Sequence, residues 1–184
     1  PGGLIVYPGC NPLDLELEYR KLSDGQKTAV RRIILTNDYC LLLGLPGTGK
    51  TTALSFAVRA LVARGGRVLL ASYTHTAVDN LLLKLAESHV LPSCAMRLGS
   101  RGAVNEAIRP YLLEDEDDLD PASNASNHLD GEAIIQLRKR CSETRIIATT
   151  VLTAPRSKIV QYMVNSRLAL TINSHSHDHD SNKS

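Results

Sequence analysis

The sequence has no tryptophan and one phenylalanine, and aromatic residues make up only 4% of its 184 positions, so any core must be built mainly from Leu, Val, Ile and Ala. Cysteines are few as well: the four at 10, 40, 94 and 141 form no C-x-x-C or other metal-ligand spacing. Reduced thiols in an intracellular protein are expected rather than a disulfide framework. No apolar run approaches the roughly 18 residues needed to cross a bilayer, so no membrane partner is expected. The first residues lack the charged-then-apolar pattern of a secretory signal. Neither sign of charge dominates, with 21 basic against 19 acidic residues and a formal charge of +2. That balance neither demands nor excludes a nucleic-acid partner; distribution matters more than the total. Basic residues dominate 20–67 and acids cluster at 114–120. The chain opens on Pro1 rather than Met, so a fragment is expected.

What is present suits one soluble domain, with 43% hydrophobic and 22% charged residues. Leu13 to Glu18 alternates Leu with acid, the pattern of a half-buried strand, and 1–21 reads as a linker or the end of a preceding domain. Ser23-Asp24-Gly25-Gln26 opens a helix to about Leu35. Tyr39 to Leu43 is a compact apolar run, expected as a buried strand. A helix from Lys50 carries Leu54, Ala57, Val58, Leu61 and Val62 on one face and stops at Gly65-Gly66. Val68 to Ala71 is expected as a second buried strand, 76–88 as a third helix with Val78, Leu81, Leu82 and Leu85 inward, and Arg97 to Gly99 as a short strand. An acidic, loop-forming insertion is expected at 112–131. Helix follows near 132–141, then a strand from Arg145 to Thr150, and 153–184 is expected to be a divergent, disordered tail. Alternating strands and helices predict an α/β fold with a parallel sheet and right-handed crossovers. No internal repeat is present.

Gly44-Leu45-Pro46-Gly47-Thr48-Gly49-Lys50-Thr51 matches the phosphate-binding pattern G-x-x-x-x-G-K-[ST] in full. A loop that wraps a triphosphate must turn successive backbone N–H groups inward, and glycine permits both the angles and the close approach. Lys50 supplies a mobile charge to the outer phosphates. The Thr51 hydroxyl is the candidate magnesium ligand, and Thr52 extends the loop. The following helix offers its N-terminal donors and dipole to an anion. Chance supplies such a match roughly once in a hundred chains of this length, and an ordinary turn would not explain the apolar run before it and the amphipathic helix after it.

Three further segments, in order, resemble superfamily 1 helicases. Leu22-Ser23-Asp24-Gly25-Gln26 resembles the glutamine motif that reads adenine; Ser23 and Gln26 also form an S-x-x-Q capping box, and both readings stand. Ser72-Tyr73-Thr74-His75-Thr76-Ala77-Val78-Asp79-Asn80 resembles the segment that grips a single strand, with Tyr73, Thr74 and His75 the candidate contacts. The alternative is a polar turn whose Thr74 or Thr76 caps a helix. Arg145-Ile146-Ile147-Ala148-Thr149-Thr150 resembles a later strand whose threonines approach nucleic acid, Thr149 being the candidate. Arg97-Leu98-Gly99 resembles the family's short arginine-leucine-glycine element.

Together these resemble the first RecA-like domain of the branch that holds upframeshift-type RNA helicases and the eukaryotic DNA replication helicase/nuclease. The Tyr73-Thr74-His75 wording tilts toward the latter. The resemblance implies a P-loop NTPase domain over 22–152, here incomplete, using ATP and Mg²⁺ on single-stranded nucleic acid, DNA favoured over RNA. It also implies unwinding of DNA and flap cleavage by a separate nuclease domain, in replication and repair, in the nucleus and for some members mitochondria. An iron–sulfur cluster would belong to that nuclease domain; Cys10 stands alone. Alternatives are an RNA helicase of the upframeshift branch and a non-catalytic nucleotide-binding remnant.

The family's Asp-Glu pair, which holds magnesium and orients water, does not follow Thr150 here: Leu168 to Ile172 is the one later strand-like run and it ends in Asn173-Ser174. The fragment alone is therefore expected to be inactive, with residues from about 153 foreign to the family. His175, His177 and His179 alternate in a polar tail, a pattern read as adventitious rather than as a metal site.

Overall fold

The computed structural model describes residues 6–113, 135, 139–157 and 159–161. Its α-helices are α1 (Pro12–Lys21), α2 (Asp24–Leu35), α3 (Lys50–Ala63) and α4 (His75–Glu87), and its strands β1 (Val68–Ser72), β2 (Ala95–Leu98), β3 (Leu112–Leu113) and β4 (Ile146–Thr150). The strands form one parallel sheet in the order β1-β4-β2-β3. Val68 lies opposite Ile146 and Ser72 opposite Thr150, while Ala95 also pairs with Ile146. β4 is thus central, and all five of its residues are buried. Two short 3₁₀ turns, Arg101–Ala103 and Glu106–Tyr111, connect β2 to β3. The expected α/β architecture with a parallel sheet is the one observed.

The core lies where α3 and α4 meet the sheet. Val58, Val62, Leu70, Leu81, Leu82, Leu85, Ile108, Ile146 and Ala148 form its main cluster. The apolar face of α4 is the one its spacing predicted. On α3, Ala57, Val58 and Val62 are buried as expected, but Leu54 is exposed and Ala53, Phe56 and Arg59 are buried instead.

Several boundaries differ from expectation. Residues 12–21 are helix, not strand. Asn11 accepts from the Leu13 N–H, Pro12 occupies the first turn and Glu16 pairs with Arg20 one turn on, which together decide for helix over the acid–Leu alternation. This helix is no linker: Leu15 and Leu22 pack with Val30, Phe56 and Ala57, and the Tyr19 and Phe56 rings lie 5.7 Å apart. Cys10 belongs to the main core, so the packed unit begins before Leu22. Cys10, Cys94 and Cys141 are all buried free thiols.

The packed unit also extends past 152, since Ile159 joins Met96, Leu98, Cys141 and Ile147 in a third cluster. The first residues of the expected insertion, Leu112 and Leu113, pair with β2. Residues 114–134 lie outside the described residues, as do the tail beyond 161 and its histidines; the expected helix near 132–141 is described as helical at 135 and 139–143.

The largest departure concerns Tyr39 to Leu43. This run enters no strand, and Leu41 and Leu43 are 85% and 103% exposed. A strand exists only through hydrogen bonds to a neighbour. Among the described residues β1 forms a ladder on one side only, and none lies beside 39–43. The run has β-forming composition but, among the described residues, nothing to pair with.

Arg59, 2% exposed, ties α1 to α3: its Nη1 and Nη2 donate to Glu18 at 2.6 and 2.9 Å, and its Nε donates to the Gly9 carbonyl. The bonded guanidinium holds the Glu18 carboxyl below its ordinary range, against an opposing desolvation. A folded-state pKa below the unfolded one adds stability above the ordinary glutamate range, which is lost as pH falls through the folded value. Wild type should therefore melt above Glu18→Gln at neutral pH, and the gap should close on acidification below about pH 4.3. Thermal melts across that range check this; a gap independent of pH would contradict it.

Candidate functional site: a phosphate loop and the carboxyl ends of the strands

Residues 44–49 form the turn into α3. Gly47 and Gly49 have φ of +79° and +75°, left-handed values that a side chain would strain. Gly49 is the N-cap of α3, and no side chain caps that helix. Its first N–H groups are therefore available to an outside acceptor, at the positive end of a 14-residue helix. Lys50 folds back over the loop, with Nζ donating to the carbonyls of Gly44 and Leu45 at 2.8 and 2.7 Å. The ammonium thus sits at the loop's mouth on two neutral acceptors that an anion can replace. Thr51 and Thr52 are exposed in the first turn of α3. Flexible backbone, uncapped donors, a mobile cation and a hydroxyl are the groups a magnesium-bound polyphosphate needs.

Gln26 is brought to this loop from α2. Its Nε2 donates to the Gly49 and Thr48 carbonyls at 3.3 and 3.5 Å. Its Oε1 accepts from the Ser23 N–H at 3.0 Å while Ser23 Oγ accepts from the Gln26 N–H, so both arms of the capping box form. A cleft of ≈ 270 Å³ opens beside the loop, lined in part by Gln26, Ala29, Ile33, Leu42, Leu43 and Leu54.

Tyr73, Thr74 and His75 leave the carboxyl end of β1, the end of a parallel sheet where ligands characteristically sit. Tyr73 is 75% exposed, and Thr74 is the N-cap of α4, its Oγ1 accepting from Ala77. His75 is exposed, with one ring nitrogen tied down: Arg97 Nη2 lies 3.0 Å from Nδ1. Thr149 lies near the carboxyl end of β4, opposite Ala71. It is completely buried in β4, donating to the Leu98 carbonyl, so its hydroxyl faces the neighbouring strand rather than a bound polymer.

The sequence reading passed over a buried ion pair behind this surface. Arg97 is 0% exposed, and its Nε donates to Asp79 Oδ1 at 2.8 Å. Asp79 Oδ2 accepts from the Asn105 N–H, and Arg97 Nη1 donates to the Leu98 carbonyl. Gly99 makes room: with φ +148°, a Cβ there would stand 3.3 Å from Arg97 Nη1. The signal was available, because Asp79 interrupts the apolar face of Val78, Leu81 and Leu82, and Arg97 interrupts a buried strand. Two opposite charges at core positions imply each other.

A parallel sheet flanked by helices, with a glycine-rich loop feeding an uncapped helix, defines a P-loop nucleotide-binding domain. The chain belongs to the AAA domain family, whose model matches residues 21–113. Over a similar stretch it is 55% identical across 96 residues to the DNA replication ATP-dependent helicase/nuclease DNA2 of Xenopus laevis, covering 52% of this chain and 9% of that protein. It is 37% identical across 133 residues to the DNA replication ATP-dependent helicase/nuclease JHS1 of Arabidopsis thaliana, covering 72% of this chain and 9% of the plant protein. Against the DNA2 protein of Saccharomyces cerevisiae identity is 35% over 131 residues, or 71% of this chain and 8% of the yeast protein. The matched stretch thus spans under a tenth of each relative, and the helicase/nuclease resemblance carried by the motifs is the similarity found.

Proposed function

We propose that this chain is the ATP-binding part of an ATP-dependent DNA helicase/nuclease that acts in replication and repair. The observation that carries the reading is the Gly44–Thr51 loop on the uncapped start of α3, in a chain similar to helicase/nucleases. Phosphates would take the loop N–H groups and Lys50 Nζ. Magnesium, when bound, supplies charge neutralisation across the phosphate oxygens, with the Thr51 hydroxyl as its protein ligand. The cleft beside Gln26 fits a purine, and reading its edge requires the Gln26 amide to leave the Thr48 and Gly49 carbonyls. Tyr73, Thr74 and His75 would contact single-stranded DNA, with nuclear action following from the same similarity. An iron–sulfur cluster and a nuclease step would belong to a separate nuclease domain, and the described residues bear on neither.

No Asp-Glu pair follows β4 in the sequence, so the chain should bind MgATP without turning it over. The test is phosphate release by the purified chain with and without a thymidine oligonucleotide, beside nucleotide binding measured by fluorescence. Binding with no release is expected in either condition. Release stimulated by DNA would show that another carboxylate serves hydrolysis and overturn the binding-only reading; absence of nucleotide binding would overturn the assignment itself.

A further inference from the structure

His75 is exposed at the start of α4, yet its ring is not free to choose a tautomer. An arginine guanidinium has only donors, so the nitrogen it approaches must accept. Arg97 Nη2 lies 3.0 Å from His75 Nδ1, which places the lone pair on Nδ1 and the single proton on Nε2. Arg97 cannot turn away, because Nε donates to Asp79 Oδ1 at 2.8 Å and Nη1 donates to the Leu98 carbonyl. Asp79 is fixed in turn by the Asn105 N–H at 2.8 Å on its other oxygen. Asp79 and Arg97 are 3% and 0% exposed, so solvent does not compete for these bonds. The chain of contacts runs from the loop at Asn105, through the core, to one ring nitrogen at the surface.

We propose that Arg97 and Asp79 are positioning residues that lock His75 as the Nε2–H tautomer, so that its exposed edge offers one N–H donor to a phosphate oxygen of single-stranded DNA. The ligand follows from the chemistry. A phosphate oxygen only accepts, Nε2–H only donates, and the ring stands at the N-terminus of a 13-residue helix whose dipole favours negative charge. Thr74 already satisfies one helix donor through Ala77, leaving the imidazole as the directed side-chain donor beside it. The DNA contact rests on the nucleic-acid reading above; the tautomer lock does not.

Both parts are tested on the whole chain labelled with ¹⁵N, with His75→Gln identifying the His75 signals. In the free protein, Nδ1 should resonate as an unprotonated nitrogen and Nε2 as a protonated one. On adding a thymidine oligonucleotide, the Nε2–H signal should shift while Nδ1 stays. Binding by His75→Ala should weaken about 10- to 100-fold, the loss of one hydrogen bond to a charged acceptor. Arg97→Lys, which keeps the charge near Asp79, should weaken binding comparably, and the double variant should bind no worse than His75→Ala alone. A merely structural Arg97 would instead multiply the two losses. Mixed tautomers in the free protein would overturn the lock even if DNA binds. An oligonucleotide that fails to bind, with the tautomer as stated, would overturn the DNA contact and the nucleic-acid reading while leaving the lock established.

Discussion

Lys50→Ala is expected to weaken magnesium-dependent ATP binding about 100-fold, a loss of about 2.7 kcal/mol. The ammonium is the one side-chain cation in the loop, resting 2.8 and 2.7 Å from the Gly44 and Leu45 carbonyls. Charge-assisted bonds to phosphate are worth roughly twice neutral ones, so its removal costs more than a single backbone contact. The fold should be untouched, because Lys50 is exposed and bonds only to carbonyls of an exposed turn. Titration calorimetry beside a thermal melt separates the two effects. Lys50→Arg retains charge but brings a planar fork in place of a compact ammonium, and should recover only part of the affinity. An affinity for Lys50→Ala within about twofold of wild type would mean that the backbone N–H groups alone hold the nucleotide.

The second large effect is on stability. Asp79→Ala leaves the Arg97 guanidinium, 0% exposed, without its counter-charge, and the Asn105 N–H without its acceptor. Breaking one side of a buried pair costs about 3–5 kcal/mol, which for a domain of this size lowers the melting temperature by about 10 °C. Removing both charges together, as Asp79→Leu with Arg97→Met, should restore most of that loss because no buried charge remains. The exposed pairs Arg20–Glu16 and Lys84–Glu87 make the contrast. Neutralising either should change stability by less than about 1 kcal/mol. Melts of the single and double variants check the argument, and a double variant as unstable as Asp79→Ala would refute it.

The phosphate loop was legible because it is local: eight consecutive residues carry both the backbone freedom and the charge. So were α2, α4 and β4, whose periodicity or apolar density survives folding unchanged; β1 was legible as a strand, but of its five residues only Leu70 is buried. Properties that depend on a distant neighbour were not. Tyr39 to Leu43 has the composition of a strand, but a ladder needs a second chain segment at its side. Leu13 to Glu18 alternates as a strand does, and only the Asn11-Pro12 start and the Glu16–Arg20 spacing mark it as helix. Thr149 lies in a strand read correctly, yet which way its hydroxyl faces follows from β2 beside it. Gln26 kept two readings, and the structure displays its capping-box bonds together with contacts to the loop carbonyls. Asp79 and Arg97 are each marked locally as a charge at a core position, but 18 residues separate them, so their pairing follows only from the fold.

The unpaired lead-in to the phosphate loop bears on how nucleotide affinity should be interpreted. Residues 39–43 are exposed or half-exposed and, among the described residues, enter no ladder, so no neighbouring strand fixes the orientation of Gly44. A measured dissociation constant is the intrinsic one divided by the fraction of molecules holding the competent shape; at about one in ten, it rises tenfold. A strand laid along 39–43, from this chain or another, would raise ATP affinity without touching the nucleotide. By reciprocity, ATP would tighten the seating of that strand by the same factor, which makes the sheet edge a thermodynamic partner of the loop.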